Sequence, residues 1–218
     1  MELYTYMQGK PEDGVYTGAF MASREKLAAL APEIIARNTG CPYDKSRDCF
    51  EIESFDRTFE VSYQNGAVYF KNSELVPERS WRLILLNYFS KAKNLPLSGR
   101  WISYKDQPGG SVFYPHIRSH IIEPMGKCYD SWEDEKLVAA LKDLGFTLES
   151  GQGDLCAKAW FAPRIPLRVI FWRGDEDFPG AFQILFDSTV SDQMHIEDSA
   201  SLCNLVMDFI QAQIAEKV

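Results

Sequence analysis

A chain of 218 residues is long enough to bury a substantial core. Its composition, 45% hydrophobic and 25% charged, is that of a globular protein and excludes the disordered and fibrous classes. With 23 basic against 31 acidic residues the net charge is −8 and the pI about 5.0, which disfavours general binding to phosphate backbones and to anionic membrane surfaces.

The segment Met1 to Met7 has neither a basic region nor an apolar targeting core. No apolar run approaches the roughly 20 residues of a membrane span. A cytoplasmic protein with no nucleic-acid and no membrane partner is expected. The five cysteines, Cys41, Cys49, Cys128, Cys156 and Cys203, are odd in number and scattered. They form no Cys-x-x-Cys pair, so a disulfide framework, a zinc ribbon and an iron–sulfur cluster all lack support.

In chain order, Ser23 is expected to cap a helix reaching Asn38, kinked or restarted at Pro32 and stopped by Thr39-Gly40. Cys49–Phe55 and Thr58–Tyr63 alternate as strands. Gln64-Asn65-Gly66 then reads as a type I′ hairpin turn into Ala67–Phe70. Pro77 suits the first position of a second helix with Trp81, Ile84, Leu85, Tyr88 and Phe89 on one face. Trp101–Tyr104 reads as a short strand, Gln107-Pro108-Gly109-Gly110 as a turn, and a short helix is expected after Pro115. Asp130 and Glu133 resemble a capping box for a helix with Leu137, Val138, Leu141 and Leu144 inward.

Cys156–Phe161, Leu167–Trp172 and Ala181–Phe186 make three further strands, the last two adjacent and antiparallel. Asp198 or Ser199 is expected to cap the final helix, whose stripe is Leu202, Leu205, Val206, Phe209, Ile210 and Ile214, packed on their sheet. Strands in meanders predict an α+β fold, a mainly antiparallel sheet carrying four to five helices. A single domain over residues 1–218 is expected, with a candidate seam near 71–76.

Two segments carry candidate chemistry. In His116-Ile117-Arg118-Ser119-His120 a helical i, i+4 spacing puts both imidazoles on one face, a common way to offer two nitrogens to a metal. Met125 and Cys128 follow, Cys128 joining only if the chain turns back at Glu123-Pro124. His116, His120 and Cys128 would suit zinc. His116, His120 and Met125, among Trp101, Tyr104, Phe113 and Tyr114, would suit a tetrapyrrole. Two ordinary surface histidines are the competing reading. The second segment is the loop Asp175-Glu176-Asp177, whose adjacent carboxylates need solvent, a divalent cation or a basic partner. It reads equally as a solvated turn paired with Arg164, Arg168 or Arg173. Gln107-Pro108-Gly109-Gly110-Ser111 lacks every nucleotide-loop pattern and reads as a plain turn.

Several strings in the C-terminal half belong together: Pro163-Arg164-Ile165-Pro166-Leu167, Trp172-Arg173-Gly174-Asp175-Glu176-Asp177-Phe178-Pro179, Ile184-Leu185-Phe186-Asp187 and Glu197-Asp198. Taken with Trp81-Arg82, Gly99-x-Trp101-Ile102-Ser103 and Pro108-Gly109-Gly110, they resemble a family of anaerobic bacteria and archaea known only as a domain of unknown function. Some of its members carry an additional four-cysteine iron–sulfur domain of the kind found in corrinoid and carbon-monoxide enzymes, a motif absent from this sequence. The resemblance implies a setting in anaerobic metabolism near corrinoid or other metal cofactors, and no activity. The expectation is a binding or accessory protein handling a metal or tetrapyrrole cofactor. The alternatives are an enzyme built on Asp175, Glu176 and Asp177, or a partner-binding module with no small-molecule site.

Overall fold

Leu167–Trp172 and Ala181–Phe186 do pair antiparallel, with Leu167 opposite Phe186 and Trp172 opposite Ala181. They are the centre of one of two antiparallel sheets in a computed structural model that describes residues 3–216. The first sheet is a meander of β1 (Tyr43–Asp44), β2 (Cys49–Ser54), β3 (Arg57–Ser62) and β4 (Val68–Phe70). The second contains β5 (Trp101–Ser103), β6 (Thr147–Leu148), β7 (Leu155–Ala162), β8 (Ile165–Trp172) and β9 (Ala181–Asp187), in the order β5-β9-β8-β7-β6. With the helices around them this is an α+β fold. Among the described residues no helix is long and apolar enough to cross a membrane.

Several expected helix ends move. Ser23 is no cap: it lies inside α1 (Thr17–Ala28), where its hydroxyl donates back to the Ala19 carbonyl, a mid-helix use open to serine. Pro32 restarts the chain as the first residue of α2 (Pro32–Thr39), because its missing N–H costs nothing there, and Gly40 closes α2 at φ +77°. Pro77 stands just before α3 (Arg79–Lys91), whose cap is Glu78, its carboxylate accepting from the Trp81 N–H at 3.0 Å.

The left-handed pair of residues falls elsewhere than Asn65-Gly66. Of that pair only Gly66 has positive φ. Both central residues of the β2–β3 connection do: Phe55 at +48° and Asp56 at +60°, the signature of a type I′ turn. Neither is glycine, so the conformation is held by packing. The Phe55 side chain is buried against Trp81, Phe146, Phe161 and Phe209, and its N–H donates to the Trp160 carbonyl at 2.9 Å, joining the first sheet to β7.

Trp81 is the hub of this core. It is fully buried, meets Phe59 at 4.8 Å, Phe209 at 5.1 Å, Phe55 at 5.8 Å and Phe70 at 6.1 Å, and donates Nε1–H to Ser54 Oγ at 2.9 Å. Phe209 belongs to α8 (Ile196–Ala215), whose predicted stripe is buried throughout. One apolar cluster contains residues of both sheets. The segment 71–76 is tied to both sides, Lys71 N–H donating to Thr58 and the Val76 carbonyl accepting from Gly9 N–H.

The segment after β5 gives the largest departure. The turn at Gln107–Gly110 forms, closed by the Gly110 N–H on the Gln107 carbonyl at 2.8 Å, but in place of a short helix after Pro115 the chain runs helically from α4 (Gly110–Ile117) through a π turn (Arg118–Ile122) into α5 (Glu123–Ser131). Gly109 at φ +80° precedes it, and Gly110 lies so close to the Tyr104 carbonyl that a Cβ there would collide. Pro124 has no N–H to return to His120 and its ring crowds that carbonyl. The ladder widens just before it, Glu123 N–H reaching back five residues to Arg118. After α5 come α6 (Asp134–Asp143) and the single turn α7 (Val190–Gln193). The cap of α6 is Glu133, and Asp130 is not part of it. The cap of α8 is His195, whose N–H donates to Asp198 at 3.4 Å, so Asp198 lies one turn inside.

Candidate functional site

The sequence-predicted residues are spread over six places. His116 and His120 share one exposed face, as their spacing requires, with ring centroids 4.0 Å apart and nearly parallel. The rings stack and do not converge on a point, and His120 Nδ1 is within hydrogen-bond reach of Ser119 Oγ at 2.9 Å and the His116 carbonyl at 3.1 Å. Met125 is fully buried in the core. Cys128 does not come back to the histidines, because the helix continues through Pro124. It lies about 12 Å further along at 1.5 Å per residue, facing Gln211 of α8. Trp101 lies under the Arg168 guanidinium, 4.3 Å from its ring centroid, with Lys158 at 5.9 Å, in a ladder of cations and aromatics.

The acidic loop is organised by turn chemistry. Asp175 accepts from the N–H groups of Asp177 and Phe178, which hold its carboxyl below the ordinary range. Its own N–H donates to the Phe178 carbonyl at 2.8 Å. Glu176 and Asp177 are exposed to water. None of the expected arginines pairs with the loop. Arg168 meets Glu149, Arg164 donates to the carbonyls of Asn38, Arg37 and Leu95, and Arg173 meets Asp134. Arg173 also reaches the carbonyls of Tyr129 and Trp132, where it completes the C-terminal end of α5.

The base of the loop is closed by Asp130, which accepts from Gly174 N–H at 2.7 Å and Gly180 N–H at 2.8 Å. A side chain on Gly180 would strike this carboxylate. Replacing Asp130 by Ala is therefore expected to loosen residues 174–180, read as faster proteolytic nicking there at unchanged global stability. Equal nicking rates would show that the clamp is dispensable. Among the described residues no group of three or more His, Cys, Asp or Glu side chains is arranged to hold a metal ion.

The three loop acids line a polar surface cleft of about 340 Å³, whereas Tyr104 and Tyr114 line an apolar cavity elsewhere. This space of about 400 Å³ lies where β5 stops short. β5 pairs only with Leu185–Asp187, so Ala181–Ile184 of β9 have β8 on one side and the cavity on the other. Tyr114, Ile117 and Ile122 face it from the α4–π segment, Cys203 from α8, and Trp172, Ser103 and Gln183 complete it. The lining is mostly apolar. Burial pushes the Cys203 thiol up to about 12, so it stays protonated at neutral pH and packs as a small apolar group. Tyr104 is raised to about 12, chiefly by burial, and its hydroxyl donates to the Ile196 carbonyl at 3.3 Å. The two imidazoles lie on the solvent side of the helix that walls this space.

Sequence reasoning missed the cavity because aliphatic residues lining a space look like aliphatic residues filling a core. The one available signal was the pair of prolines, Pro115 and Pro124, which shape a helix that periodicity alone reads as irregular. Neither the curated proteins nor the solved structures yield a match to this chain. A family model does match, over residues 31–209, a stretch that includes every wall of the cavity, the histidine pair and the acidic loop. The chain thus belongs to the family described as a domain of unknown function, DUF3786.

Proposed function

We propose that the protein binds a small, mostly apolar organic molecule in the cavity between the π turn and the free edge of β9. The observation that carries this reading is an apolar space of about 400 Å³ at the place where the helix leaves α geometry. Ligand pockets run from about 300 to 1,000 Å³ and combine apolar walls with a few polar groups. Here Ser103 and Gln183 are those groups. π turns inside helices are frequent at functional sites. A tetrapyrrole held by His116 or His120 does not fit this space, since both imidazoles lie outside it and its volume is near the lower end of that range. The anaerobic setting implied by the family resemblance belongs to the proposal. Mass spectrometry of an organic extract of protein isolated without oxygen would name the molecule.

The neutral aromatic probe N-phenyl-1-naphthylamine tests the reading directly. Saturable binding with energy transfer from Trp172 is expected. Ile122→Trp, which fills the half-buried wall, should abolish it, and the double change His116→Ala, His120→Ala should leave it intact. Absent or non-saturable binding, or binding unaffected by Ile122→Trp, would reject the cavity as the site.

A second reading rests on the stacked imidazoles: a transition metal bridging His116 and His120 at the surface, after rotation of both rings. Its mark would be metal retained by the purified protein and lost in the same double variant. A carboxylate enzyme on Asp175, Glu176 and Asp177 is the weaker reading, because Asp175 is already engaged by its own loop.

A further inference from the structure

A second cleft shares no residue with the apolar cavity. It has a volume of about 500 Å³ and opens between the N-terminal part of α3 and the outer face of α8. Its walls differ in kind. Glu78 and Asp208 bring two carboxylates, Ser80, Ser201 and Asn204 bring hydroxyl and amide groups, and Tyr6 and Tyr16 bring two aromatic rings. Tyr6 is fixed by stacking on Tyr4, by an edge contact with Phe209 at 5.4 Å and by its hydroxyl on Gln213. Glu78 is fixed as the cap of α3. Asp208 makes no hydrogen bond or ion pair among the described residues, and it lies close enough to feel the Glu78 charge.

Two carboxylates lining one cleft repel one another, and a cation bound beside them relieves that repulsion. Arg57 lies close enough to Tyr6 for its charge to act on that hydroxyl, and Arg79 lies 6.0 Å from the Tyr16 ring centroid and lines a small annex of the cleft beside Tyr16 and Ser80. One tyrosine of the cleft is thus already used as a cation platform by the protein itself, while Asp208 has no partner. Aromatic faces beside carboxylates are the surroundings that hold organic ammonium ions, the rings through their negative faces and the acids through charge-assisted hydrogen bonds. Tyr6 and Tyr16 precede the stretch matched by the family model, which begins at residue 31. The cleft is therefore completed by a part of the chain outside that stretch.

We propose that this cleft, walled by α3 and α8 and closed by Tyr6 and Tyr16, binds a small organic ammonium ion between Glu78 and Asp208. The test is calorimetric titration of the full chain at physiological salt with putrescine and with its uncharged analogue 1,4-butanediol. Saturable binding of the diamine at one site is expected, with no heat from the diol. Asp208→Asn should weaken it by about tenfold or more, the loss of a charge-assisted contact. Tyr16→Leu should weaken it as well. Glu176→Gln, which removes one negative charge far from the cleft, should leave it unchanged, and an unaltered melting temperature will show that Asp208→Asn is folded. The proposal is overturned if putrescine does not saturate, if Asp208→Asn binds as the parent does, or if Glu176→Gln weakens binding equally, which would mean diffuse attraction to an acidic surface.

Discussion

Replacing Trp81 by Ala is expected to cost about 3–5 kcal/mol, the range for deleting a fully buried large aromatic. The reason is the breadth of what it touches. Phe55 and Phe59 belong to the first hairpin, Phe70 to β4 and Phe209 to the last helix, so one truncation loosens the hairpin, β4 and α8 at once. It also strips Ser54, itself buried, of the indole donor. Against a typical total of about 5–15 kcal/mol this removes a large fraction of the stability. Denaturant titration of the variant measures it. A loss below about 1.5 kcal/mol would mean that the cluster repacks around the gap and that the hub is not shared in this way. Phe209→Ala should be of similar size, since it opens the same cavity from the α8 side.

The second large effect is expected at Asp187, the buried end of β9. Its carboxylate accepts from the N–H groups of Ser98, Gly99 and Thr189 and from the hydroxyls of Ser98 and Thr189. Burial alone would raise its pKa, but the donors from Thr189, Ser98 and Gly99 outweigh that and hold it below the ordinary carboxylate value. Asp187→Ala orphans three backbone N–H groups and is expected to cost about 3 kcal/mol or more. Since the folded pKa lies below the unfolded one of about 3.9, the ionic contribution is complete at neutral pH and is lost as pH falls below about 4. Asp187→Asn, which keeps the volume and most acceptors, should cost less and flatten that acid limb. A parent and an Asn variant with the same stability profile between pH 5 and pH 3 would contradict this account.

What the sequence made legible were the elements whose burial pattern is simple. The continuous apolar runs 167–172 and 181–186 gave both strands and their pairing, and the stripe from Leu202 to Ile214 gave α8, because burial of a whole face leaves a direct imprint. What it concealed were features fixed by contacts distant in the chain. The left-handed turn at Phe55-Asp56 has no glycine to announce it, as four surrounding aromatics hold Phe55 in place. The long helix from Gly110 to Ser131 is obscured by two glycines at its start and two prolines inside it. The role of Asp130 depends on Gly174 and Gly180, more than forty residues away, so its local spacing to Glu133 suggests a cap that does not form. The histidine pair was legible as a pair, because spacing along one helix is a local property. Its separation from Cys128, Met125, Trp101 and Tyr104 was not, since that depends on how the helix continues and where it lies.

The short reach of β5 has a further consequence for how copies of this protein meet one another. A strand at the margin of a sheet offers unpaired backbone groups to any neighbour, and proteins usually block such margins. Here β5 covers Leu185–Asp187, while α5 lies so tightly over Gly180 and Ala181 that Gly126 has no room for a side chain. The interval between them, Phe182–Ile184, has no strand on that side and borders the apolar cavity, across which stand Tyr104, the α4–π segment and Cys203 of α8. A molecule seated there would complete the cover, making the bound form the less prone to intermolecular strand addition on prolonged storage or gentle heating.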